Sequence, residues 1–204
     1  MGLYSRWFFP LLCEVSLNRP FVAAERTKLL ADAQGDVLEI GIGTGLNLPH
    51  YPRSIRKITA IDPNPGMHRK AHKRIAAGEI EVDKRVLGGE SLPFGAESFD
   101  CVVSTFTMCS IAGIEQALAE FHRVLRPGGR FLFLEHGLSP DPGVQRWQRR
   151  LNGLERLIAD NCHLDRDIRA LVGRQPFQST ECAEFYLEKT PRTHGYVYRG
   201  VATR

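Results

Sequence analysis

The segment "VLEIGIGTGLNLPHY", residues 37–51, constrains this chain more than any other. Val37 to Gly41 is apolar and β-branched enough to read as a buried strand, and it runs directly into Gly41, Gly43 and Gly45. Glycines at alternate positions let the backbone turn at positive φ and approach a ligand closely. A strand that ends in such a turn opens a nucleotide-binding α/β unit, whose ligand lies beyond the carboxyl ends of the strands.

The remaining chain repeats the alternation. Ile55–Asp62, Ile80–Leu87, Phe99–Ser104 and Arg130–Glu135 read as four further strands. Pro65–Ala77 and Ile114–Leu125 read as helices, the second with Ile114, Leu118, Phe121 and Leu125 on one face. "RPGG" at 126–129 is a helix stop and tight turn. Strands alternating with helices imply a mostly parallel sheet covered on both faces. Past the fifth strand, Pro142–Asp160 and Asp165–Val172 read as helices, and Phe177–Leu187 and Tyr196–Ala202 as an antiparallel hairpin. At 204 residues, without repeat or linker, the expectation is one compact α/β fold.

Residues 1–34 are expected to form a helical cap and 35–204 the ligand-binding domain. In "LYSRWFFPLLCEVSL", Tyr4, Phe8, Leu11, Leu12 and Val15 recur at helical spacing, and Pro10 must start or kink any helix there. That stripe packs on the domain as a lid or rests weakly on a membrane surface; both readings stay open. It is too short to span a bilayer and lacks the pattern of a signal peptide. The net charge of +4 is spread along the chain, with no basic stripe for nucleic acid. The run Arg146–Arg150 reads as a solvated helix face. Five cysteines, at 13, 101, 109, 162 and 182, contain no C-x-x-C pair. The expectation is reduced thiols, no metal, a cytoplasmic location and a monomer or homodimer.

The glycine turn narrows the ligand. Gly41, Gly43 and Gly45 make G-x-G-x-G, and Leu46 stands where a dinucleotide fingerprint needs its third glycine. No Gly-Lys-Ser/Thr follows, so a P-loop is excluded. Asp62, at the end of the second strand, suits a ribose diol. Glu39, two residues before the turn, suits a cationic or amine-bearing ligand better than a pyrophosphate, because like charges repel in a low-dielectric cleft. S-adenosylmethionine combines adenosine, an amino acid and a sulfonium cation.

At this point the chain resembles the class I S-adenosylmethionine-dependent methyltransferases over nearly its whole length. The matching segments are "VLEIGIGTGLNL", "ITAIDPNPGM", "GGESLPFGAESFDCVVS", "EFHRVLRPGGRFLFLEHG" and the terminal strand pair. The resemblance implies a Rossmann-like fold: a seven-stranded, mostly parallel sheet with the last strand antiparallel and helices on both faces. It further implies that Glu39, Gly41, Gly43 and Gly45 line the methionine and ribose part of S-adenosylmethionine. Asp62 would hold the ribose diol, Pro63 and Asn64 the adenine border, Gly89 and Glu90 the adenine edge, and Ser104 and Thr105 the region near the methionine. Gly88 departs from the Asp or Ser that many relatives carry there, which leaves the adenine amine to Glu90, the backbone or water.

The methyl acceptor is less legible. The turn after the fourth strand, "STFTMCSI", lacks the Asp/Asn-Pro-Pro-Tyr/Phe of amino-directed nucleic-acid methyltransferases, and no Pro-Cys nucleophile is present. "STFTMCSI", "RVLRPGGRFLFLEHG" and "DNCHLDRDI" together resemble the methyltransferase-like family that includes membrane-associated alkyl thiol S-methyltransferases. A small thiol is therefore the first expectation for the acceptor. A lipid amine, quinone-like carbon or metabolite oxygen is the alternative, and a non-catalytic cofactor-binding module the third reading. Cys109, Glu135, His136, Cys162 and His163 are expected to face the acceptor. His136, at the end of the fifth strand, is the candidate base, or else holds the following loop.

Overall fold

Residues 3–204 are described by a computed structural model; the first two residues of the expected cap lie outside them. The strands are β1 (Val37–Ile40), β2 (Lys57–Ile61), β3 (Glu81–Arg85), β4 (Phe99–Thr105), β5 (Leu125–His136), β6 (Ser179–Tyr186) and β7 (Tyr196–Thr203). They form one sheet in the order β3-β2-β1-β4-β5-β7-β6. β1 to β5 are parallel, and β7 runs antiparallel between β5 and β6. The expected terminal hairpin thus closes the sheet with its second strand inward.

The helices are α1 (Leu3–Trp7), α2 (Phe9–Leu17), α3 (Pro20–Leu30), α4 (Pro65–Ala77), α5 (Ile114–Val124), α6 (Pro142–Ile158), α7 (Ile168–Gly173) and α8 (Arg192–Gly195). Local chemistry sets several starts. Asn64 and Asp141 cap α4 and α6 by accepting from Gly66 N and Gly143 N, each with proline at the next position. Asp167 does the same for α7 through Ala170 N.

Strand alternation divides the interior into two cores. Leu38, Ile40, Val102, Phe131 and Phe133 point to the face covered by α5 and α7. Val37, Ile58, Cys101, Val103, Leu132 and Leu134 point to the face that also buries Val22, Leu29 and Leu30 of α3. Phe121 meets Phe131, and Phe131 meets Phe133, at ring-centre distances of 5.6 and 5.5 Å. Each such buried ring contributes about 2–3 kcal/mol over an exposed one. Cys101 is wholly buried apolar filling, as its strand context implied.

The N-terminus bears on the two readings left open for its apolar stripe. Pro10 does restart the helix, at the second position of α2. The stripe at 4, 8, 11, 12 and 15 is nevertheless the exposed side, with Phe8 64% and Val15 56% exposed. Phe9, Cys13 and Leu17, one helical turn apart, face inward instead. Apolar spacing alone cannot tell these sides apart when both are apolar.

Gly200 of β7 lies in register with Phe133 of β5 and Cys182 of β6. A Cβ there would sit 2.3 Å from Phe133 Cζ and 2.5 Å from the Glu181 carbonyl oxygen. Gly200→Ala should therefore destabilise the fold by about 1–3 kcal/mol through overpacking. The check is a lowered urea midpoint with an unchanged denaturant slope.

Candidate active site

The carboxyl ends of β1, β2, β4 and β5 converge where the order reverses between β1 and β4, the switch point at which open α/β sheets bind ligands. Gly41, Gly43 and Gly45 all take positive φ (72, 55 and 81°). At Gly41 a side chain is also excluded by space, since a Cβ would lie 2.2 Å from Thr107 Oγ1. The loop is tied to β2: Gly41 N and Ile42 N donate to the Ile61 carbonyl, and Gly43 N donates to Asp62 Oδ2 at 3.0 Å. Asp62 Oδ1 accepts from Asn64 N at 2.8 Å. Burial raises the Asp62 carboxyl above its ordinary value, and these two N–H groups oppose that shift.

Glu39 is placed differently from the expectation. Its carboxylate is 1% exposed and accepts from Asn47 Nδ2 and Tyr51 OH, both at 2.9 Å. Burial pushes it up to about 7, against those two donors and the nearby Arg26 charge. Asn47 Oδ1 and Thr105 Oγ1 in turn accept from Arg26 Nη1 at 2.5 and 2.7 Å. Glu39 therefore anchors a buried Arg26–Asn47–Thr105 network and lines neither of the two cavities over the strand ends. Burial lowers Arg26 to about 10, opposed by Glu39 and Glu135.

Glu135 is also a loop anchor, a correction to its expected place facing the acceptor. It is fully buried and accepts from Ser104 Oγ, Thr107 N and Met108 N at 2.8–3.1 Å. Ser104 is buried with it and lies behind the site. Burial pushes Glu135 up to about 7, with the neighbouring Cys109 acting in the same sense.

Two adjoining cavities sit over these strand ends. The smaller, about 120 Å³, is lined by Gly41, Gly43, Thr44, Asp62, Pro63 and Thr105, among others. The larger, about 500 Å³, is lined by Cys109, His136, Cys162, Glu155 and His194 together with mostly apolar side chains. Phe9, Cys13, Leu17, Phe106 and Ser110 border both, so α2 roofs the pair. Of the expected residues, Gly45, Asn64, Gly89, Glu90 and His163 line neither cavity. Asn64 is buried under α1, donating to the Ser5 carbonyl at 2.7 Å. Gly89 packs near Phe121 of α5, and Glu90 faces Gly113 N. His163 reaches the site through its backbone, donating to the Cys109 carbonyl at 2.9 Å.

The structure brings together what sequence spacing left scattered. The ligating atoms of Cys109, His136 and Cys162 all lie within 4.8 Å of one another. His136 Nε2 is 3.0 Å from Cys162 Sγ, so the candidate base already contacts a protein thiol. The hydrogen bond from Cys162 and the nearby imidazole hold Cys109 well below the usual thiol range, against burial. Cys162 is pushed up by the same bond and by burial. Burial would lower His136, but the charge and hydrogen bond of Cys109, together with Glu135 and Glu155, outweigh it and raise it.

Sequence reasoning missed Arg26, Asn47, Thr44 and the Glu155–His194 pair. Arg26 left a readable signal: it follows Val22 by four residues and precedes Leu29 and Leu30 by three and four, which puts it on the buried face of α3. Glu155 and His194, 3.3 Å apart, come from α6 and α8 and left no such pattern.

The anchoring role of Glu135 has a measurable consequence. Glu135→Gln replaces one acceptor oxygen by a donor amide facing N–H groups. We expect a loss of about 1–3 kcal/mol, seen as a lower thermal midpoint.

Known proteins resemble this chain in sequence and in fold. Residues 38–133 match a family model described as a methyltransferase domain. The chain is 37% identical over 222 aligned positions to thiol S-methyltransferase TMT1A of Homo sapiens, covering 98% of this chain and 90% of that one. It is 34% identical to thiol S-methyltransferase TMT1B of Rattus norvegicus over 189 positions, covering 85% and 77%. In fold it resembles the crystal structure of a Thermotoga maritima S-adenosylmethionine-dependent methyltransferase, a possible histamine N-methyltransferase, with a TM-score of 0.69 at 20% identity over 98% of this chain and 97% of that one. With its strand order and glycine loop, the chain belongs to the S-adenosylmethionine-dependent methyltransferases, in the family that contains these thiol S-methyltransferases.

Proposed function

We propose that this enzyme methylates the sulfur of a small, largely apolar thiol, with S-adenosylmethionine over the glycine loop and the acceptor in the larger cavity. The observation that carries the reading is the 500 Å³ apolar cavity, which abuts the glycine-loop cavity and presents two thiols and an imidazole on its wall. The thiol S-methyltransferase relatives agree with it.

The residues around the smaller cavity fit the cofactor. Two buried polar atoms of its lining residues, Thr44 Oγ1 and Arg26 Nε, have no hydrogen-bond partner among the described residues. At Gly43 an added Cβ would meet nothing nearer than the Gly41 carbonyl at 3.9 Å, so the backbone there is bare. Each Asp62 oxygen accepts one N–H and keeps lone-pair capacity for a ribose diol. Gly41, Gly43, Pro63 and Thr105 complete the cradle, while Glu39 and Asn47 hold it from behind. Bound there, S-adenosylmethionine supplies a methyl group on a sulfonium centre. The protein aligns and desolvates: α2 closes both cavities with Phe9, Cys13 and Leu17, which keeps water from the acceptor sulfur.

A lipid-borne acceptor is the second reading, favoured by one observation. Trp7, Phe8, Leu11 and Val15 of α1–α2 and Trp147, Leu154 and Leu157 of α6 are exposed, and α2 and the end of α6 both line the larger cavity. No helix among the described residues is long and apolar enough to cross a membrane.

Two measurements test the assignment. Labelled methyl from S-adenosylmethionine should appear in small alkyl or aryl thiols; label only in phenols, amines or ethanolamine lipids would overturn the acceptor. Asp62→Ala should weaken S-adenosylmethionine binding by about 1–3 kcal/mol, roughly 5- to 150-fold in Kd by calorimetry.

A further inference from the structure

We propose that Cys109, His136 and Cys162 bind zinc(II), leaving one coordination position open to the larger cavity for the acceptor sulfur. The second half of this rests on the thiol reading above; the metal site itself does not.

The geometry is close to complete without any ion. The three ligating atoms lie within 4.8 Å of one another. Zn–S bonds of about 2.3 Å and a Zn–N bond of about 2.0–2.1 Å place tetrahedral ligand atoms roughly 3.5–3.8 Å apart, so closing on a cation takes shifts of an ångström or less at side-chain ends. Two thiolates and an imidazole form a soft set that selects zinc over the hard oxygen-seeking cations. Two thiolates also cancel the dication, which gives a buried unit of zero net charge. Three protein ligands with a fourth position left to water or substrate is the arrangement of zinc sites that do chemistry.

The ligands come from three segments that the fold ties to one another. Cys109 sits on the loop after β4, which Glu135 holds from below through Thr107 N and Met108 N. The Arg166 guanidinium holds the same loop by donating to the Met108 and Ile111 carbonyls. Cys162 follows Asp160 and Asn161, both at positive φ (49 and 68°), a reversal that returns the chain from α6 toward that loop. Asn161 Nδ2 donates to the Ser110 carbonyl at 3.0 Å and His163 N to the Cys109 carbonyl at 2.9 Å. His136 ends β5, in register with Val197 of β7. Pre-arranged ligands of this kind lower the ordering cost of metal binding.

The ring nitrogen that faces the thiols is His136 Nε2, 3.0 Å from Cys162 Sγ, so it is the nitrogen that would ligate, with the proton on Nδ1. A shared cation supplies an electron-pair acceptor for Nε2 and the two sulfurs. An acceptor thiol taking the fourth position releases its proton to solvent, the sulfur keeps its electron pair, and no atom changes oxidation state. It thereby becomes the thiolate, the nucleophilic form.

The test uses tag-free full-length chain, stripped with chelator under a phosphine reductant and reloaded with zinc(II) or cobalt(II). We expect one equivalent of zinc by elemental analysis. Cobalt should give thiolate-to-metal charge-transfer and tetrahedral d–d absorption. Cys109→Ser and Cys162→Ser should lose the stoichiometric metal. The cobalt spectrum of the unaltered chain keeps the test valid even where a variant fails to fold. Reduced chain that takes up no stoichiometric metal overturns the site. Zinc bound with thiols unmethylated upholds the site and overturns the acceptor reading. Full thiol methylation by metal-free chain does the reverse, removing the metal from the chemistry while the acceptor reading stands.

Discussion

Three carboxylates lie at the carboxyl ends of β1, β2 and β5, and each is buried by the loops it organises. Glu39 closes β1 and holds Asn47 and Tyr51; Asp62 follows β2 and holds the glycine loop and the start of α4; Glu135 near the end of β5 holds the loop after β4. A buried carboxylate without donors is costly, so these loops adopt the one arrangement that supplies them. The cofactor cradle, the acceptor wall and the mouth between them all follow from that requirement. Burial raises both Glu39 and Glu135 to about 7 against the donors that hold them.

The same requirement explains why α3 carries Arg26. Its guanidinium gives Asn47, in the loop after β1, and Thr105, at the end of β4, a shared positive donor. It also balances part of the negative charge of Glu39 and Glu135. The N-terminal segment then completes the enclosure. Its inner residues close two cavities, while its outer residues remain apolar and exposed.

Much of the fold was legible because strand and helix periods are local. Six of the seven strands fall within two residues of their expected places, and the helix over 114–124 carries its apolar stripe inward. β5 begins five residues early, at Leu125, and takes in the RPGG segment that was expected to be a turn. The glycine loop and Asp62 were legible for a related reason: positive φ and a strand-end acid are requirements on single positions. The direction of Glu39 and Glu135 was not legible. Both were expected to face a ligand, yet each finds its donors on the loops behind the site. An acid at a strand end reads the same in sequence whichever way its lone pairs point. Which side of α2 faces inward stayed open, because Phe9, Cys13 and Leu17 are no less apolar than the residues that face outward.

The order of elements, the turn chemistry and the nucleotide-type cradle were determined by sequence alone, since each depends on neighbours within a few residues. The meeting of Cys109, His136 and Cys162 was decided by tertiary structure alone. These residues are 27 and 26 positions apart and carry no metal-ligand spacing. What joins them is the parallel register of β4 and β5, which sets the two strand ends side by side, and the return of the chain after α6 across both. Sheet register and helix return are long-range geometry, and no local pattern encodes them.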